Sequence, residues 1–188
     1  MAQLTKFTPL SNDPYLKADA DMALAKFGHI NTIVDYYNAL DASVSAALKP
    51  VVNITAATYT ATSSQSGTQF TVNKDGTVIT LPTPTVGLVY EFFINTTGAV
   101  KIITNNTSSV FLIGTLVSGL EATTPSLTAG PKLFTGNGTS HVSIDMNKTT
   151  TGGIAGTYIK LVCTSSTLWN ATGTILASGT IATPYATS

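Results

Sequence analysis

Gln69-Phe70-Thr71-Val72-Asn73-Lys74-Asp75-Gly76-Thr77-Val78-Ile79-Thr80-Leu81 is the stretch whose reading decides the fold. Residues 69–72 alternate between polar and apolar, and the alternation resumes at 77–81. Between them, Asn73 to Gly76 has the composition of a tight turn, with Gly76 free to adopt a positive φ. The pattern predicts a β-hairpin. The same period of two recurs downstream. Leu88–Asn95 and Val100–Thr104 flank Thr97-Gly98, and Tyr158–Cys163 and Leu168–Gly173 flank Thr164-Ser165-Ser166. Val52–Ile54 with Tyr59–Ala61, Val110–Val117, Lys132–Phe134 and His141–Met146 read as further strands, and a last one is expected near Ile181. About eight to ten short strands at this spacing predict an antiparallel β-sandwich or jelly-roll-like barrel over residues 50–188. No strict repeat at solenoid periods is visible.

Upstream of Pro50 the period changes. Leu16, Ala20, Ala23, Phe27, Ile30, Val34, Tyr37, Val44 and Leu48 follow at steps of four and three, interrupted at Asp41. That is a heptad seam on a helix, whose apolar stripe needs a cover. Asp13 caps its start, Pro14 suits the first turn, and Lys49-Pro50 closes it. Gly28 lies near the middle and costs about 1 kcal/mol relative to alanine. The organisation expected is mainly β with an N-terminal helical arm: an extended arm at 1–13, an amphipathic helical segment at 14–49 and a β domain at 50–188. Phe27, Ile30, Val34 and Tyr37 are the expected oligomer interface, with three copies the preferred number. Phe7 and Leu10 are the apolar anchors of the extended arm.

Charged residues make up only 10% of the chain, and the formal net charge is zero. Soluble monomers normally carry net charge against self-association, so so neutral a surface points to burial by other subunits. All nine cationic residues are lysines and they are scattered, which argues against a nucleic-acid partner. Cys163 is the single cysteine, so no internal disulfide forms. The N-terminus lacks the layout of a signal peptide, and the uncharged stretch 102–120, broken by Asn, Ser, Thr and Gly, is too polar to span a bilayer. No membrane partner is expected.

No catalytic constellation stands out in the sequence. His141, Ser143 and Asp145 lie on one predicted strand, where alternate side chains point outward in a row rather than converging. Phosphate-binding glycine loops and zinc-type spacings are missing from the sequence, so neither cofactor nor metal is expected. His29 has no ligand partner nearby in sequence. Trp169 is the residue that would stack on a sugar, with Tyr59 and Tyr158 as further aromatic candidates; the competing reading for Trp169, and the favoured one, is a core position.

Two segments resemble parts of tailed-bacteriophage virion proteins. Ala25-Lys26-Phe27-Gly28-His29-Ile30-Asn31-Thr32-Ile33-Val34-Asp35-Tyr36-Tyr37-Asn38 resembles an N-terminal helix of small phage structural proteins. Phe70–Val72, Thr77–Pro82 and Gly87–Phe92, followed by Gly156–Val162 and Leu168–Gly173, are similar in order to β-domains of capsid decoration, head-fibre and tail-fibre proteins. The resemblance implies a non-enzymatic, usually trimeric protein of the virion surface without saying which part of the virion. The leading expectation is a capsid decoration (cement or head-fibre) homotrimer on the outer capsid surface, with Phe7 and Leu10 contacting the major capsid protein. Its alternative is a tail fibre or host-recognition module whose β domain binds a host-surface glycan through Trp169.

Overall fold

The computed structural model describes residues 29–40, 49–120, 131–178 and 180–188, Leu120 by its backbone alone. The chain divides into two compact units, Met1–Lys49 and Pro50–Ser188, at the position where the composition changes. In the first unit residues 29–40 form a helix, α1. The expected extended arm with Phe7 and Leu10, the helical positions at 14–28 with Phe27 and Gly28, and Asp41, Val44 and Leu48 lie outside the described residues.

The second unit is built from strands: β1 (Val51–Ile54), β2 (Thr58–Thr60), β3 (Gln69–Val72), β4 (Thr77–Thr80), β5 (Val89–Ile94), β6 (Ala99–Ile103), β7 (Phe111–Leu120), β8 (Lys132–Asn137), β9 (Ser143–Asn147), β10 (Tyr158–Ser165), β11 (Leu168–Ala177) and β12 (Tyr185–Ala186). They make a seven-stranded sheet in the order β1-β3-β5-β10-β11-β7-β8 and a five-stranded sheet in the order β12-β9-β6-β4-β2. The β-rich expectation holds, and the antiparallel one holds only in part. Both sheets are mixed: β1–β3, β3–β5, β2–β4, β4–β6 and β7–β11 are parallel pairs, while β5–β10, β10–β11, β7–β8, β6–β9 and β9–β12 are antiparallel.

The departure from an antiparallel fold begins at 69–81. β3 and β4 belong to different sheets, so Asn73–Gly76 carries the chain across the core instead of folding it back beside itself. β5 and β6 are related in the same way, and the second expected hairpin is also a crossing. Alternation alone fits either arrangement, because each strand needs one face inward in both. The hydrogen bonds of the turn decide. The Gly76 amide donates to the Ala99 carbonyl, and the Thr77 hydroxyl lies 3.1 Å from the Ala56 carbonyl and 2.9 Å from that of Lys74. The turn thus bonds to the turns stacked above and below it. Only the last expected hairpin, β10–β11, is one, with Cys163 opposite Trp169.

The first six strands therefore form a parallel stack of three rungs, β1–β2, β3–β4 and β5–β6. Val52, Phe70 and Phe92 share one column, and Tyr59, Ile79 and Ile102 share another. The rungs differ in length, from Val51 to Gln69 and from Gln69 to Glu91, which hides the repeat from a search for a fixed period. Inward residues of both sheets merge into one apolar core. An aromatic cluster runs through it: Phe70 stacks on Phe92 at 5.1 Å, and Tyr90 lies 6.1 Å from Phe70 and 5.7 Å from Trp169. Such side chains contribute about 1.5–3 kcal/mol each by burial.

Candidate assembly surface

α1 reads His29-Ile-Asn-Thr-Ile-Val-Asp-Tyr-Tyr-Asn-Ala-Leu40, with Asp35 its one acidic residue. Val34 is buried, at 8% exposure, whereas Ile33, Tyr36 and Tyr37 are 54%, 68% and 56% exposed, and Ile30 and Leu40 are also exposed. Ile30, Ile33, Tyr37 and Leu40 recur at steps of three, four and three, and so form one continuous stripe along the helix. The rings of Tyr36 and Tyr37 meet edge to face at 6.2 Å, and an open depression is lined by Thr32, Ile33, Tyr36 and Tyr37. Of the four expected interface residues, the structure exposes Ile30 and Tyr37 and buries Val34 within the single chain. Ile33, Tyr36 and Leu40 were missed. The signal for them was present, since α1 is apolar on more than one side.

The aromatic residues considered for a sugar are not brought together. Trp169 is fully buried in the core, so its ring faces no solvent and it is removed as a glycan contact. Tyr59 is half-buried, its ring 5.7 Å from Phe70 and its hydroxyl accepting from the Gln65 amide at 2.7 Å. Tyr158 lies on the outward face of the seven-stranded sheet, half-buried against Phe93 at 4.7 Å.

His141, Ser143 and Asp145 are likewise engaged apart from one another. The His141 ring stacks on Tyr185 at 5.4 Å while its Nδ1 accepts the Asn137 amide. The Ser143 hydroxyl donates to the Ser188 carbonyl at 2.8 Å, and Asp145 pairs with Lys101 at 3.4 Å across β6 and β9. Cys163 is buried, its thiol donating to the Ser165 carbonyl at 3.1 Å, and burial pushes that thiol up from its ordinary range. Among the described residues no group of three or more His, Cys, Asp or Glu could hold a metal ion, and no helix is long and apolar enough to cross a membrane. His29 is exposed on α1.

No protein-family model, curated protein or solved structure matches the chain. What its surface can do is therefore read from its own residues, and α1 is where large apolar side chains concentrate.

One electrostatic feature links the crossing turn to the far side of the stack. The Lys148 ammonium lies 2.7 Å from Asp75 Oδ2, and the Ala99 amide donates to Oδ1 at 2.7 Å. Together they hold the Asp75 carboxyl below the usual carboxylate range. With the folded-state value the lower one, this stabilisation is complete above the unfolded value of about 4 and fades as pH falls through the folded value. Thermal unfolding followed from neutral pH into acid should show the native protein losing an increment that Asp75→Asn does not lose. Equal acid sensitivity of the two proteins would refute the linkage.

Proposed function

We propose that this chain is a non-enzymatic virion structural protein of the capsid decoration type, cement or head-fibre-like, working as a homotrimer on the outer capsid surface. The first unit engages sister subunits and the major capsid protein, and the two-layered β unit is displayed. The observation that carries this reading is the exposed apolar stripe of α1. Five large apolar side chains on twelve residues are 40–68% exposed in the single chain, and covering what remains of each contributes about half of the 1.5–3 kcal/mol of full burial. Summed over the stripe, that reaches the lower part of an association cost of about 4–15 kcal/mol. The low charged fraction, 10%, and zero net charge of the whole sequence support the same reading.

Cementing needs no chemistry. A protein that binds the assembled lattice and not its free parts stabilises the lattice by mass action. The glycan-binding fibre alternative loses support from the burial of Trp169. Deleting residues 1–40 is expected to abolish particle binding while the remaining β unit keeps its far-ultraviolet spectrum and cooperative melt. Particle binding retained by that truncation would contradict the assignment of the anchor. Copy number separates the virion addresses: hundreds per particle belong to a capsid, a handful to a tail.

A further inference from the structure

The first rung ends both sheets on the same side: β1 is the terminal strand of one sheet and β2 of the other. The carbonyls of Pro50 and Ile54 accept from Gln69 and Asn73, and that of Ala57 accepts from Val78. Successive residues of a strand direct their backbone groups to opposite edges, so Val51 and Asn53 in β1, and Thr58 and Thr60 in β2, point theirs away from the stack. Those groups find no backbone partner among the described residues.

The core is open at the same end. Val52 and Tyr59 are only half-buried, whereas Phe70, Phe92, Ile79 and Ile102, which continue their columns in the next rungs, are fully buried. Proteins usually blunt such edges with charge, proline or brevity. The opposite edges are blunted: β12 has two residues, and β8 begins at Lys132. β1 and β2 are also short, with four and three residues, but together they offer two edges, and between Val51 and Ala61 there is no charge and no proline.

We infer that this rung is a strand-pairing surface occupied by a second copy of the same rung. The occupant must offer two strand edges at the spacing of the two sheets together with apolar cover for Val52 and Tyr59. An isolated peptide strand extends one sheet only. A second copy turned about an axis normal to the sheets extends both, β1 against β1 and β2 against β2, each antiparallel. The uncharged sequence meets itself there without like-charge repulsion. This contact is independent of α1.

Sedimentation equilibrium of the full chain tests it, with Ile33→Lys and Tyr37→Lys introduced together to remove the helical contact. That protein should remain a concentration-dependent dimer. Adding Asn53→Pro, which deletes an outward N–H while sparing the inward ladder, should weaken the dimer at least tenfold; Asn53→Ala, which keeps the N–H and loses only the side-chain bond to Asn73, should not. Should Asn53→Pro fail to fold, Asn53→Lys places like charges across the contact and should dissociate it. Hydrogen exchange supplies a readout without substitution at the edge: the Val51, Asn53, Thr58 and Thr60 amides gain protection as concentration rises. A helix variant monomeric at every concentration would overturn the edge contact and leave the proposed function standing. A dimer indifferent to Asn53→Pro and Asn53→Lys would overturn it too. Association lost through Asn53→Pro but untouched by the helix substitutions would support the edge and count against α1.

Discussion

Trp169→Ala is expected to lower the stability of the β unit by about 3–5 kcal/mol, the range for removing a large aromatic side chain from a packed core. In a domain of this size the midpoint of thermal unfolding should then fall by roughly 10–20 °C. The upper half of the range applies because Trp169 is fully buried and packs on Tyr90, whose hydroxyl donates to the Thr62 carbonyl at 2.9 Å. Loss of the indole therefore also loosens the connection that leads from β2 into β3. One opposing effect is built in. The Trp169 indole N–H has no hydrogen-bond partner among the described residues, and an unmet buried donor costs about 1–3 kcal/mol. Trp169→Phe removes that donor and keeps most of the ring, so it should cost less than half as much as alanine. Calorimetry of the two variants checks the pair of values. A residue serving as an exposed sugar platform would behave oppositely, with Trp169→Ala leaving the melt unchanged and abolishing binding.

Gly114→Ala should be comparably damaging for a different reason. Gly114 sits within β7 at φ +100°, and a Cβ there would lie 2.2 Å from the Ala171 carbonyl oxygen and 2.2 Å from Asn170 Oδ1. The first of these is backbone of the parallel neighbour β11 and cannot rotate away. An unfavourable φ costs on the order of 1–3 kcal/mol, and the overlap adds a similar amount, so a loss of about 3 kcal/mol or more is expected. The Gly114 carbonyl also accepts from the Tyr185 hydroxyl at 3.0 Å, so the attachment of the C-terminal strand should weaken in the same variant. Gly119→Ala is the control. It lies in the same strand without a positive φ, and its Cβ would meet only the Leu176 side chain at 3.1 Å; its cost should stay under about 1 kcal/mol. Similar melts for the two alanine variants would show that β7 is not held against β11 as described.

Much of this architecture was legible in the residues, and the misreadings have specific causes. The change of period at Pro50 places the division between the two units, and the β10–β11 hairpin follows from its alternation and turn. The crossing turns were not legible. Asn73-Lys74-Asp75-Gly76 has the composition of a hairpin turn, but its bonding partners, Ala56 and Ala99, belong to neighbouring rungs far away in sequence. The stack escaped notice for a related reason. Its columns, such as Val52, Phe70 and Phe92, are unequally spaced, and a fixed-period search sees no repeat. At the candidate surface the heptad steps picked out Ile30 and Tyr37, and also Val34, which the single chain already buries. A helix apolar on more than one side presents more than one plausible seam, and only packing shows which side is left over. Trp169 illustrates the same limit: its type allows a platform or a core role, and its neighbours decide for the core.

In the proposed assembly, other copies cover the leftover side of α1. The most direct test is the mass of the purified full chain in solution, beside that of the protein carrying Ile33→Lys and Tyr37→Lys. The prediction is a multiple of three chain masses for the unmodified protein, falling to no more than two for the variant while the β unit keeps its melting temperature. A single-chain mass for the unmodified protein, or an assembly that both lysines leave intact, would contradict it.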